Sequence, residues 1–276
     1  MTAHVSFPHS TAAASRQRPT GFLTQVALIT WRNLLTIFRT PQAILPPLVI
    51  SIFFLVIYES TLGGAAGFLP GLSGNSYLGF ILPLSIVSSA LSGSSIAAQN
   101  LVRDIESGYF DKLILTPVSR TALLLGPILA GAFILGLQAT IVIIVALFMG
   151  LESATGLAGL VTIVGLAVLL GVGFAGFSVS AALGSGNAAV TQAASFLFFP
   201  LTFLTASFVP LELLSGWLKV AATLNPITYV LEAMRSLLLV GWNTSALMQG
   251  IAACLILGIA MYALAVYALR VRTRRK

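Results

Sequence analysis

Six runs of mostly apolar residues, at about 43–62, 77–98, 120–149, 157–183, 193–209 and 247–269, limit what this chain can become. About 20 consecutive apolar residues cover the hydrocarbon core of a bilayer as a helix. In lipid every backbone polar group must find its partner within the protein, which leaves the α-helix for runs of this length. Only 8% of the 276 residues are charged and 58% are hydrophobic, where a soluble domain carries about 25% charged residues. The expected fold is an all-α polytopic membrane protein with six transmembrane helices. Residues 1–21, rich in Ala, Ser, Thr and Pro, lack the apolar core of a signal peptide and read as a disordered cytoplasmic tail. Residues 22–269 then form a single transmembrane domain, and 270–276 a basic tail.

The lysines and arginines set the orientation. With six spans, one side holds Arg16, Arg18, Arg32 and Arg39, then Arg103, Lys112 and Arg120, then Arg270, Arg272, Arg274, Arg275 and Lys276. Those are twelve of the fourteen basic residues, and only Lys219 and Arg235 fall opposite. Both termini are therefore expected in the cytoplasm, and the net charge of +7 follows topology and does not call for a nucleic-acid partner. Residues 22–40 place Gln25, Arg32, Asn33, Thr36 and Arg39 on one side of a helical wheel and apolar residues on the other. Such a pattern fits a helix in the membrane interface with its arginines towards the headgroups, the alternative being a tilted extension of the first span.

Between the second and third runs, residues 100–120 carry six of the 21 charges in the chain. Leu101 and Ile105, with Arg103, Asp104 and Glu106 around them, predict a short amphipathic helix that Gly108 ends in a left-handed conformation. Tyr109, Phe110, Leu113 and Ile114 supply a second apolar face beside Asp111 and Lys112. Thr116-Pro117 reads as an N-cap followed by proline at the first helical position. A chain that only had to turn round would need a few residues, so this charged elbow at 100–119 reads as a docking surface. On the other side, residues 210–242 are too long for a simple loop and too apolar to float in water. Pro210 opens one short helix and Asn225-Pro226 a second, an outer re-entrant hairpin with Thr228, Glu232 and Arg235 on one face. A Glu232–Arg235 surface pair that only solubilises the hairpin stands beside a role for these residues in the transport path.

Within the spans, Ser85, Ser88, Ser89, Ser92 and Ser95 share a helical face. They serve either tight helix contact or a wet path for an amphipathic substrate. In the fifth run Phe199, Thr202 and Thr205 mix phenylalanine with hydroxyls, which suits core packing or a large greasy substrate. Gly165, Gly171, Gly173 and Gly176 read as helix-contact positions. None of the seven acids sits mid-span, which argues against the ion relay of a secondary carrier. Both histidines lie in the N-terminal tail and no glycine-rich phosphate loop occurs. No metal cluster, catalytic set or ATP site is therefore expected in this chain.

From about residue 22 to the C-terminal end these features resemble the permease subunits of type-2 ATP-binding-cassette exporters. The resemblance rests on Arg39-Thr40-Pro41 after the interfacial helix, on the elbow pattern Glu106, Gly108, Asp111, Thr116-Pro117, and on the hairpin with Asn225-Pro226, Glu232 and Arg235. The elbow wording SGYFDKLILTPVSR is similar to the daunorubicin-resistance type of drug-exporter permease. Pro127 departs from it, standing where many relatives carry lysine. The resemblance implies an export subunit in the bacterial plasma membrane with no ATPase site of its own, pairing as a homodimer or with a similar permease. ATP and Mg would sit on a separate ATPase subunit docked on a coupling helix at about 100–108, through Arg103, Asp104, Glu106, Gly108, Asp111, Thr116 and Pro117. The second and fifth helices, with Ser85, Ser88, Ser92, Phe199, Thr202 and Thr205, would line the path of a hydrophobic drug, natural product or lipid. Export of a lipid or polysaccharide precursor, a secondary carrier and a membrane scaffold stand as the alternatives.

Overall fold

The computed structural model describes residues 21–64, 77–197, 200–201, 204–205 and 214–274. Every regular element among them is helical. In chain order these are α1 (Phe22–Phe38), α2 (Pro41–Leu62), α3 (Tyr77–Glu106), α4 (Tyr109–Ile114), α5 (Arg120–Phe148) and α6 (Gly156–Ser185). They continue with α7 (Ala188–Phe196), α8 (Gly216–Leu224), α9 (Pro226–Arg235) and α10 (Thr244–Arg274), and a π-helical turn, Ser236–Val240, follows α9. Five of them, α2, α3, α5, α6 and α10, are long and apolar enough to cross a bilayer. The run expected at 193–209 starts on α7, which ends at Phe196. Residues 198–199, 202–203 and 206–213 lie outside the described residues.

The bundle is built around α3. Of its most apolar window 94% is buried, against 11% for α2 and 17% for α10. α3 packs against α2, α5, α6 and α7, so it is enclosed by protein while α2 and α10 turn most of their surface outward. Two glycines of α6 permit close approach of its neighbours. A Cβ on Gly171 would stand 3.0 Å from the Ala132 Cα on α5, and one on Gly176 would stand 3.3 Å from a backbone carbon of Met261 on α10. Gly165, expected to do the same, faces open space.

Three local expectations change. Residues 100–106 are not a separate helix but the last turns of α3. No proline or glycine interrupts α3 after Gly93, and Leu101 and Val102 are buried in a cluster with Phe110 of α4 and Leu124 of α5. The elbow's independent helix is α4, after Gly108 at φ 70°. The cap of α5 is Ser119, whose Oγ accepts from the Ala122 N–H at 3.0 Å. Thr116 instead donates its hydroxyl back to the Leu113 carbonyl at 2.6 Å, which leaves Pro117 in the turn before Ser119. α5 runs unbroken through Pro127, and α10 runs through Arg274, so Arg270, Arg272 and Arg274 lie on the end of that helix instead of in a separate basic tail.

Candidate functional site

The elbow is held to α1 by charge and shape together. Arg32 donates through Nη2 to the Asp104 carboxylate at 2.6 Å, and its guanidinium carbon lies 4.4 Å from the centre of the Tyr109 ring. One arginine therefore touches the end of α3 and the start of α4 at once. Further along, the Gln25 side-chain Oε1 accepts from the Ser119 N–H at 2.9 Å. A side chain at Gly126 would run into Ile29, so α1 sits directly on α5. Asn33, expected to face the headgroups, is buried and donates to the Ile29 carbonyl at 2.8 Å. Leu23 and Trp31 remain exposed on α1.

Of the seven elbow residues singled out by sequence, Asp104 is spoken for within the chain. Arg103, Glu106, Thr116 and Pro117 are exposed, and Gly108 makes the turn. Asp111 is half-buried and already engaged. Phe110 is fully buried, anchoring α4, while Leu115 at its end is 87% exposed. An exposed apolar side chain on the same segment as the exposed charges of Arg103 and Glu106 gives the elbow the mixed character of a protein-binding surface. Arg32, Gln25 and Leu115 were not legible as parts of this site. Their partners lie far off in sequence, and an apolar residue in a hydrophobic chain carries no signal.

At the opposite end of the bundle α9 is seated in protein. Asn225 caps it, accepting from the Ile227 N–H at 3.0 Å through Oδ1. The same amide donates to the carbonyls of Leu201, 2.7 Å, and Leu204, 3.2 Å. Asn225-Pro226 thus launches the helix and ties it to the middle of the fifth apolar run. Arg235 is buried, which overturns the surface-pair reading. Its Nε donates to the Phe80 carbonyl at 3.1 Å, its Nη1 to Glu232 at 3.2 Å, and its guanidinium carbon stands 3.7 Å from the Phe80 ring centre. Burial pulls its pKa down to about 10 while Glu232 opposes the shift, so it stays charged at neutral pH. Thr228, on the same helix, is buried with its hydroxyl unpartnered.

The serine face of α3 is inside the chain's own helix bundle. Ser85, Ser89 and Ser95 are buried and Ser88 half-buried. The Ser51 hydroxyl of α2 donates to the Ser85 carbonyl at 2.7 Å. Ser94, Ser178 and Ser195 form a hydroxyl chain from α3 through α6 to α7, with steps of 3.3 and 3.2 Å. The side chain of Ser92 and all of Phe199 and Thr202 lie outside the described residues, while Thr205 is buried. Next to Leu201, Leu204 and Asn225 lies an apolar cavity of about 350 Å³. Gln138 was missed: it is fully buried on α5 against Gly93 of α3, with neither amide atom partnered. A lone amide in an apolar run was its only signal.

Residues 24–239 match the family model described as the ABC-2 type transporter. Among curated proteins, the chain is 26% identical over 244 residues to the daunorubicin resistance ABC transporter permease protein DrrB1 of Streptomyces coeruleorubidus. That match spans 86% of this chain and 83% of the relative. It is 27% identical over 214 residues to the probable doxorubicin resistance ABC transporter permease protein DrrC of Mycobacterium tuberculosis, 78% of this chain and 76% of the relative. It is also 28% identical over 223 residues to a protein named as transport permease ycf38 of Pyropia yezoensis, whose name carries no drug. There the shares are 79% and 75%. With its apolar helices enclosing α3 and its elbow clamped to an amphipathic α1, this multi-pass membrane chain belongs to the ABC-2 type transporter family.

Proposed function

We propose that the chain is the membrane permease subunit of an ATP-driven exporter that carries a hydrophobic drug, natural product or lipid out of a bacterial cell. A separate ATP-binding-cassette subunit, holding ATP and Mg, docks on the elbow, and two permeases work together, as a homodimer or as a pair of similar chains. The observation that carries this reading is the elbow. Leu115 and the charges of Arg103 and Glu106 stand exposed on a segment that Phe110, Arg32 and Gln25 fix to three helices. A push on such a surface moves α3 and α1 together, as a switch between inward- and outward-open states needs. The resistance permeases among the relatives support a drug as the cargo.

A sixth crossing, both termini in the cytoplasm and an outer hairpin belong to the same proposal. The chain leaves α6 at the elbow end and climbs the bundle through α7. Gln192 meets Gln99 at 2.7 Å, Ser195 meets Ser178 nearer the middle, and Leu201 and Leu204 reach Asn225. At the far end the π-helical turn bonds the loop before α6, where the Ala154 N–H reaches the Leu238 carbonyl at 2.9 Å. A passage from one end to the other between residues 187 and 238 supports six spans in place of five.

The test is to purify the chain gently from its native membrane and identify its companions. An ATPase subunit in about one-to-one ratio is expected, released when Glu106→Arg and Leu115→Asp are combined and retained by the unaltered chain. Recovery of the chain without an ATPase, under conditions that keep complexes together, would sink the reading.

A further inference from the structure

At the elbow end of the bundle, α6 and α10 diverge and leave a groove of about 610 Å³, within the roughly 300–1,000 Å³ of ligand clefts. Its walls are apolar, with Phe177 and Leu183 from α6 and Leu264, Tyr267 and Val271 from α10, and Arg272 closes one end. Arg272 Nη1 donates to the Leu183 carbonyl at 3.0 Å, where the α6 helix ends, while its Nε is buried without a partner. Neither α6 nor α10 contains an acidic residue, and Arg270 and Arg274 flank Arg272 at the end of α10. Among the described residues no carboxylate pairs with any of these three arginines. Tyr267 is 66% exposed beside the groove, as aromatic residues at the membrane–water boundary are.

We infer that this groove holds an anionic glycerophospholipid of the leaflet on the elbow side. Its phosphate sits on Arg272, and one acyl chain lies along Phe177, Leu264 and Tyr267. Charge complementarity selects this occupant. A guanidinium presents a planar fork that matches phosphate oxygens, and basic pockets between transmembrane helices recognise acidic headgroups. The outward-turned surface of α10 leaves the groove open to the surrounding membrane. Such a lipid would fill the gap between α6 and α10 and give the three arginines a counter-charge.

The test is native mass spectrometry of the full chain in detergent with phosphatidylglycerol and phosphatidylcholine of identical acyl chains. The unaltered chain should retain phosphatidylglycerol roughly fivefold better, the size of effect one basic residue contributes near an anionic headgroup. Arg272→Gln should erase that preference while some lipid of both kinds stays bound, and Arg272→Lys should keep part of it. Ala268→Trp, which fills the groove from α10, should lose both lipids. Equal retention of the two lipids by the unaltered chain, or an undiminished preference in a folded Arg272→Gln variant, overturns the assignment. So does displacement of the lipid by millimolar glycerol phosphate, which would mark a site for free phosphate. A change of oligomeric mass in Ala268→Trp would make the groove an interface with a second copy instead. None of these readouts needs an ATPase or a transported substrate, so the inference and the exporter reading fail separately.

Discussion

Arg32 and Asp104 lie 72 positions apart and meet at 2.6 Å, with side chains 40% and 19% exposed. A pair that open to water is worth about 1 kcal/mol or less in stability, so its weight is in geometry. Exchanging the two charges, Arg32→Asp with Asp104→Arg, should restore much of the transport that each single change loses, read as drug efflux from cells. If the double variant is no better than the worse single one, the contact does not join α1 to the elbow. Arg235 predicts differently because it is buried. Arg235→Ala should lower the melting temperature in detergent by the equivalent of about 2 kcal/mol or more. Arg235→Lys should recover little, since an ammonium cannot stack on Phe80 and also bond both the Phe80 carbonyl and Glu232. Gln138 runs the other way. Leucine has nearly its shape, and removing a buried, unpartnered amide should raise thermal stability by about 1–3 kcal/mol. Stability unchanged or lowered in Gln138→Leu would mean that the amide has a partner in the membrane.

Among the elements, the joint between α3 and α4 is where sequence and structure can be compared most closely. Gly108 was legible because a left-handed residue between two short amphipathic faces has few chemical solutions. The extent of α3 was not, since polar residues at 100–106 can end a span or ride out of the membrane on the same helix. Only the buried contacts of Leu101 and Val102 with Phe110 decide between them. Thr116-Pro117 misled for a related reason. Threonine caps or bonds backwards with equal ease, and Ser119, three residues on, takes the cap. The fifth apolar run was visible as a run, but its course past Phe196 depends on Asn225, 24 residues beyond Leu201. At Gly108 no neighbour lies within 4 Å of an added Cβ, so a substitution there is resisted by backbone conformation alone. Gly108→Ala should cost roughly 1–2 kcal/mol locally and lower the ATP turnover that substrate stimulates, whereas Gly108→Asn, which tolerates the left-handed region, should fall between. Equal activity in all three would show that the joint is not where elbow motion enters the bundle.

At the scale of the whole molecule, five crossings and six place the end of α10 on opposite sides of the membrane. Arg272 on α10 bonds the Leu183 carbonyl of α6, and a side chain at Gly186 would touch both Arg272 and Ile105 of α3. The C-terminal end therefore gathers at the same end of the bundle as the elbow. Trp217 and Leu224 on α8 are exposed and belong with the Asn225 cap towards the other end. In a chain whose buried Cys254 is replaced by alanine, single cysteines at Ser107, Arg270 and Ser215 separate the topologies. A membrane-impermeant maleimide added to intact cells should label Ser215→Cys alone, and the other two should react only after permeabilisation. Labelling of Arg270→Cys but not Ser107→Cys in intact cells would put the two ends of the helix set on opposite sides. That result would remove the sixth crossing, and with it the outer position of α8 and α9. The positive-inside distribution of the chain's arginines and the bond from Arg272 to the end of α6 predict the first result.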